Sequence, residues 1–501
     1  MSPVRSDHER PTPSERTPLL EEIEPEPLSP SEDPLLDADP DSLIRNVDEE
    51  NAQERAEKPL PKTQVFLLCL TSVVPSIAFF SIFPYINFMI ERVGGVEKED
   101  VGFWSGLIES LFSAVQMCVM ILWGKASDRW GRKPVLVLSL FGISVATTLF
   151  GMSRNLGQMI VFRCVAGAFG GTVVTVRAML SDVSTKQTQA RAFSLFAFAS
   201  NMGIFLGPLI GGGLERPAEK FGSTFGKLKF FHQYPYVLPN MVVSAVALIA
   251  AFTTLFFVKE TLHIHRGNKE TGGPPMSTWQ LLKYPGVTRV LVIYNYTMLL
   301  AYTFTAVYPV FQYTPVELGG LGFVPGLIAA TTGLNGASQA TWLLLIFPKL
   351  HRRFGTIRIL YGCAIAWPIF FAASPMFNFL LRHSLKVVLW STLPPTVVLG
   401  SGVAMAFTAV QLALNDIAPS HETLGTLNAV ALAGSSGLRA VAPAAATALY
   451  AIGVKYHILG GQLFWVCNVV LACGLFGLLR LLPDKAKGLP KRQQNGHAHN
   501  T

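Results

Sequence analysis

Apolar residues in this chain fall in long unbroken runs, not in the stripes of amphipathic soluble helices. Twelve runs stand out, at 63–90, 102–124, 134–152, 157–180, 191–213, 236–258, 288–313, 322–347, 357–376, 386–413, 425–449 and 461–482. Each approaches or exceeds the ~20 helical residues that cross a bilayer. The pattern predicts an all-α polytopic membrane protein. An even number of crossings puts both termini on one side. Lys and Arg concentrate near 125–133, 259–289 and 349–358 and after 480, with Lys186 and Arg191 beside them. That side, with both termini, is expected to be cytosolic. The loops at 91–101 and 214–235 carry mixed charge and are expected to face the lumen or exterior.

A short polar loop at 259–287 divides the runs into two sets of six, 63–258 and 288–482, flanked by an acidic tail at 1–62 and a basic tail at 483–501. The two sets read as a faint internal repeat. Phe347-Pro-Lys-Leu-His351-Arg352-Arg353-Phe354-Gly355 follows the eighth run where Gly124-Lys-Ala-Ser-Asp128-Arg129-Trp-Gly131 follows the second. Gly207-Pro208 in the fifth run is echoed by Ala442-Pro443 in the eleventh, and Asp182 by Asp416. Parallel halves of this kind build a central site between two rocking bundles.

Composition agrees with the pattern: 50% of the 501 residues are hydrophobic and 14% charged, against ~25% charged in soluble domains. Net charge is uneven. Residues 1–62 hold 17 acidic and 7 basic residues, a balance of −10, so the remainder carries +18 of the total +8. An excess of this kind belongs to cytosolic loops and gives no reason to expect nucleic acid. The tail at 1–60, rich in Pro, Glu, Asp and Ser, is expected to be disordered. Because the first apolar run begins only near Val65, no cleavable signal peptide is expected. Six cysteines (Cys69, Cys118, Cys164, Cys363, Cys467 and Cys473) all fall in apolar runs without metal-site spacing, and read as buried structural residues.

Candidate chemistry lies in charges that the bilayer penalises. Glu109 and Arg163 each stand about seven residues from the same end of their runs, hence at similar depth. A lone charge there costs ~2.5–3.5 kcal/mol or more, so each should face the protein interior and seek a partner. They read either as a proton-coupling pair or as a permanent structural ion pair. Arg439 lies ~22 Å into its run, too deep to snorkel, and could bind an anionic substrate group or hold a structural partner. Arg177 lies near enough to the cytosolic end to reach water. Small residues at Gly203, Gly207 and Gly211, with Gly212 beside them, allow close helix approach, and Pro208 permits a bend. Asn201, Asn295, Tyr296, Tyr302, Thr303 and Tyr308 either line a substrate path or serve as helix–helix glue.

The stretch from Gly124 through Asp128, Arg129, Gly131, Arg132, Lys133 and Pro134 packs four cations and a carboxylate into nine residues, which cannot sit in hydrocarbon. It resembles the Gly-x-x-x-Asp-Arg-x-Gly-Arg-Lys signature of the major facilitator superfamily. The resemblance implies that Asp128 binds the neighbouring half near a helix N-terminus and latches the cytosolic side. A carboxylate so placed is worth ~0.3–1 kcal/mol, weak enough to break in every cycle. Arg163-Cys-Val-Ala-Gly167 resembles the family's fourth-helix pattern, whose arginine is associated with proton transfer. The fifth-run glycines resemble the antiporter signature. Across ~63–482 the chain looks like the twelve-span drug:proton antiporter branch, near fungal relatives of zinc-induced facilitator-like proteins. Tyr234-Pro-Tyr-Val-Leu-Pro239, Leu318-Gly-Gly-Leu-Gly322 and Leu424-Gly-Thr-Leu-Asn428 carry that match. Plant members have a Cys-Pro-Gly-Cys motif that is missing here, and His263, His265, His497 and His499 are too sparse for a zinc site.

The expectation is therefore a secondary transporter, with proton-coupled antiport of small organic molecules, drugs or metal complexes. An uncoupled facilitator, a nutrient symporter and a non-transporting sensor are the alternatives. No P-loop and no nucleophile–base arrangement is present, so neither ATP-driven pumping nor an enzyme is expected, and no cofactor or metal. The expected partners are the substrate, protons and the lipid bilayer, around a monomer. Glu15-Arg-Thr-Pro-Leu19-Leu20 resembles an acidic dileucine sorting signal read by adaptors, which favours a vacuolar over a plasma membrane.

Overall fold

The structure, a computed structural model, describes residues 61–184, 188–262, 278–419 and 421–487. The dileucine signal, the expected disordered tail and the four sparse histidines lie outside these residues. The described chain is built from long helices. We number α1 (Lys62–Phe80), α2 (Val101–Trp130), α3 (Arg132–Gly151), α4 (Leu156–Val183), α5 (Gln189–Leu214) and α6 (Val237–Phe257). The second half has α7 (Val287–Tyr313), α8 (Pro325–Thr341), α9 (Phe347–Arg382), α10 (Lys386–Ile417), α11 (His421–Lys455) and α12 (Leu463–Leu478).

Eleven stretches among the described residues are long and apolar enough to cross a membrane. One of them, Pro325–Arg382, runs for 58 residues, far more than a ~30 Å hydrocarbon core requires. It breaks at Gly355, inside α9, where φ is 75° and ψ 174°, so one crossing is α8 continued to Phe354 and the next is the part of α9 after Gly355. That makes twelve crossings. Gly131, between α2 and α3, breaks the chain in the same way, with φ 111°. The two glycines occupy equivalent places in the repeat and make the same corner, because only glycine adopts such a φ without strain.

The helices sort into two six-helix bundles. In the first, α3 packs on α6, α1 on α5 and α6, and α2 on α4; in the second, α7 packs on α10 and α11, and α9 on α12 and α10. The bundles meet through α2 against α11 and α5 against α8.

Several boundaries differ from the sequence pattern, each for a local reason. The first crossing ends at Phe80, not near residue 90, and Ile86–Gly94 forms a separate short helix. Pro84 has no N–H to return to the preceding turn, so the helix stops there. Conversely α2 runs six residues beyond the expected 124. The signature is therefore a helix–corner–helix, and Pro134 sits harmlessly in the first turn of α3. The fourth crossing is interrupted at 169–171, where glycines press against α2. A Cβ on Gly167 would lie 2.5 Å from the Phe112 carbonyl, and one on Gly171 2.7 Å from the Trp123 ring. Trp123 donates its indole N–H to the Ala168 carbonyl at 2.7 Å, which the interruption would otherwise leave unbonded. Cys118, Cys467 and Cys473 are exposed on helix surfaces, not buried, since lipid-facing positions tolerate small apolar side chains.

The glycines of α5 face α1. Added Cβ atoms would lie 2.5 Å from Ser76 at Gly203, 3.0 Å from Phe80 at Gly207 and 1.8 Å from the Ser81 carbonyl at Gly211. Gly212 instead faces Ala329 of α8 at 2.3 Å, across the bundle interface. Gly211→Ala should therefore destabilise the protein by roughly 1–3 kcal/mol through overpacking. Gly213→Ala, whose Cβ meets nothing within 4 Å, should leave stability unchanged. Thermal melting in detergent, with the two variants side by side, checks this.

Candidate functional site: a cavity between the two bundles

A cavity of about 270 Å³ lies between the bundles at mid-depth. Its walls come from both halves. Phe79 and Phe80 at the end of α1 and Phe83 in the turn after it enter the cavity as a cluster of rings 5.1–5.5 Å apart. Thr332, Asn335 and Gln339, spaced three and four residues apart on α8, form one polar stripe along the wall. Trp367, Phe370 and Phe407 add aromatic surface from α9 and α10. Such a mainly apolar cleft with a few polar groups suits a small organic guest.

Two charges line the cavity, Glu109 from α2 and Arg439 from α11. Arg163 of α4 lies just behind. Glu109 and Arg163 are 6% and 4% exposed. Yet among the described residues Glu109 has no ion-pair partner within 4 Å. Equal depth does not bring it onto Arg163. The reason is that Phe112, one turn further along α2, takes the guanidinium: Arg163 Cζ sits 4.4 Å over that ring and 5.7 Å over Phe79. Arg439 Cζ sits 4.4 Å over the Phe79 ring. Desolvated cation–π contacts are worth ~2 kcal/mol, and both guanidiniums make them. Arg163 Nε and Nη2 find no acceptor among the described residues.

Of the other expected path residues, Tyr302 and Tyr308 line the cavity; Asn201, Asn295 and Tyr296 do not. Tyr302 bonds Ser435 at 2.7 Å, tying α7 to α11. Tyr296 donates to the Leu471 carbonyl of α12 at 2.6 Å and so acts as helix–helix glue, whereas Asn295 donates within its own helix to Leu291. Thr303 donates to Asn468 at 3.2 Å. Arg177 is half-buried: its Nε finds no acceptor among the described residues, and the guanidinium lies 5.4 Å over Phe196. The α8 stripe was not expected from sequence, although its three-and-four spacing is a legible signal.

At the signature corner the structure departs from the expected latch. Asp128 is 64% exposed and pairs with Arg132 of its own corner at 3.7 Å. The buried contact is instead Arg132 Nε to Asp182 at 2.6 Å, with side chains 5% and 4% exposed, and Thr261 donates to the same carboxylate at 2.8 Å. The helix N-terminus is filled by Glu260, at the end of α6. It accepts N–H bonds from Arg132, Lys133, Thr261 and Leu262, all at 2.9–3.0 Å. Partial burial opposes its charge, but these four N–H groups outweigh burial and hold its carboxyl below the usual range. Glu260 is not among the residues the sequence singles out; its one signal is an acid at the opening of a mainly basic linker.

The tight contacts between bundles gather at the other end. A Cβ on Gly106 would lie 1.7 Å from the Thr447 hydroxyl, and Ser110 accepts the Ala444 N–H at 2.9 Å. Gly336 of α8 lies close to Phe205 of α5. Tyr313 donates to Glu91 at 2.6 Å, Asn87 to the Pro309 carbonyl at 3.3 Å, and Lys455 to Asp100 at 3.1 Å.

Two like six-helix bundles that share a mid-depth cavity with ionisable groups on its wall are the architecture of a secondary transporter. The family described as Major Facilitator Superfamily matches residues 68–443, and the chain belongs to it. It is 47% identical over 431 residues, 86% of this chain and 90% of the other, to the efflux pump azaK of Aspergillus niger. It is 26% identical to protein ZINC INDUCED FACILITATOR-LIKE 1 of Arabidopsis thaliana, over 84% and 92% of the two chains. Its fold matches a bacterial homologue of the human lysosomal transporter Spinster, solved inward-facing and occupied, with TM-score 0.61. The match covers 87% of this chain and 100% of that one at 14% identity. The protein is thus a multi-pass membrane transporter and not an enzyme.

A stability prediction follows from Glu260. Its lowered carboxyl stabilises the fold fully above the ordinary ~4.3 of glutamate, and this contribution is lost as pH falls through the lowered value. Glu260→Gln should therefore melt below the parent at pH 7, by roughly 1 kcal/mol. The gap should close as pH drops below about 4. Melting curves from pH 7 to 3 check both the sign and the window.

Proposed function

We propose that this protein is a proton-coupled antiporter that moves small organic molecules, drugs or metal complexes by alternating access. The observation that carries the reading is Glu109, a buried carboxylate on the wall of the central cavity with no ion-pair partner within 4 Å among the described residues. A group that can hold or lose a proton there makes the charge of the cavity depend on pH. The relative named as an efflux pump supports outward movement from the cytosol.

In this reading the signature end is cytosolic, as its Lys and Arg content favours. The conformation described is then closed on the far side and accessible from the cytosol. The proposed units are the bundles 63–258 and 288–482, joined by a cytosolic linker at 259–287, in a monomer. Asp128 latches the cytosolic side only in the opposite conformation, which accounts for its exposure in this one. A vacuolar membrane is favoured over the plasma membrane, with Glu15, Leu19 and Leu20 as the adaptor signal.

The test uses vesicles with an acidic lumen and an internal pH dye, challenged with a panel of small organic compounds with and without Zn²⁺. Antiport predicts lumenal alkalinisation that follows particular compounds and vanishes in Glu109→Gln. Silence across the panel contradicts antiport. Alkalinisation that persists in the variant removes Glu109 from the proton path.

A further inference from the structure

A second, smaller chamber of about 30 Å³ lies inside the first bundle, lined by Arg163, Gln116, Thr147 and Phe112 among others. Among the described residues Phe79 alone lines both this chamber and the central cavity. Its ring packs against Phe112 with centroids 5.8 Å apart. Arg439 lies over it at 4.4 Å, and Arg163 at 5.7 Å. Arg163 belongs to the small chamber, while Glu109 and Arg439 belong to the cavity. Phe79 is also the penultimate residue of α1, immediately before the turn that ends at Pro84, where the backbone has the least helical restraint.

We propose that Phe79 is the coupling partition of the transporter, a ring that keeps the Arg439 guanidinium off Glu109 until a guest displaces it. The proposal rests on the antiport reading and says how coupling is enforced. In the empty protein an ionised Glu109 has no cation in contact. A lone charge cannot pass through a closed, water-poor intermediate at useful rate, so the empty ionised carrier stays where it is. A proton on Glu109 removes the carboxylate's charge while Arg163 and Arg439 stay on their rings, and the empty carrier turns over with no unpaired anion. An aromatic or apolar guest in the cavity competes for the same rings, moves Phe79, and lets an arginine reach the carboxylate. The proton passes from the Glu109 carboxyl to cavity water, and the neutral ion pair left behind lets the loaded carrier turn over. Reorientation then needs a proton or a guest, which is the rule antiport requires. Phe79 acts through Glu109 and is a positioning residue.

The test needs no substrate. Full-length parent, Phe79→Ala, Phe79→Leu, Phe79→Trp and the double variant Phe79→Ala with Glu109→Gln are placed in liposomes containing pyranine. Potential is clamped with potassium and valinomycin, and proton leak is read after a pH step. Without the ring an arginine pairs with Glu109 unaided, so Phe79→Ala should leak protons on the order of a hundredfold faster than the parent. Phe79→Leu, which keeps bulk but offers no π face, should leak as well, and decides the matter if the alanine variant does not fold. Phe79→Trp should restore tightness, and Glu109→Gln should abolish the leak. Folded alanine and leucine variants as tight as the parent overturn the proposal, as does a leak that survives in the double variant. The antiport reading fails separately: a parent that never alkalinises with any compound sinks that reading, while a parent that does, beside tight Phe79 variants, sinks only the partition.

Discussion

The cost of an unpartnered charge in hydrocarbon organises this molecule. Outside the membrane, charges cluster freely at the signature corner and on the opposite face. Within it Glu109, Arg163, Arg177 and Arg439 are the ones that matter, and three of these cations rest on aromatic faces. That choice has a consequence. A guanidinium held by a ring remains available to a carboxylate or a guest, whereas one locked in a short ion pair does not. The pair that is locked, Arg132 with Asp182, lies at the corner and holds α3, α4 and the end of α6 together as one unit.

The two ends of the transporter are built differently. At the far end the bundles touch through glycines, hydroxyls and three polar contacts that each bridge the two halves. Contacts of this kind are individually weak, so they can open together without a large barrier. At the signature end the strong interactions described above, Arg132 with Asp182 and the N–H bonds to Glu260, lie within one half. A rigid corner on one bundle and a breakable seam between bundles is what rocking about a central cavity needs.

Much of this was legible in the sequence. Long apolar runs gave the crossings, and the half-by-half repeat reaches down to Gly131 and Gly355 making the same backbone corner. Boundaries were less legible, because Gly170 and Gly171 act through the neighbours they meet and not through composition. Depth along a helix placed Glu109 and Arg163 level, but azimuth decides pairing, and azimuth put Phe112 in the way. Likewise Tyr296 and Tyr302 look alike in sequence, yet one bonds α12 and the other faces the cavity. Glu260 was hidden because its role depends on where α6 ends relative to α3, a contact across 128 residues of chain.

The central claim is that protonation of Glu109 governs whether the empty carrier can change conformation. Spin labels on Lys125 and Arg352 at the signature end, in a cysteine-free background, report the separation of the two halves by pulsed electron resonance. The account predicts one separation at alkaline pH, a second population on acidification, and both populations at every pH in Glu109→Gln. A pH-dependent shift that is unchanged in Glu109→Gln would contradict it.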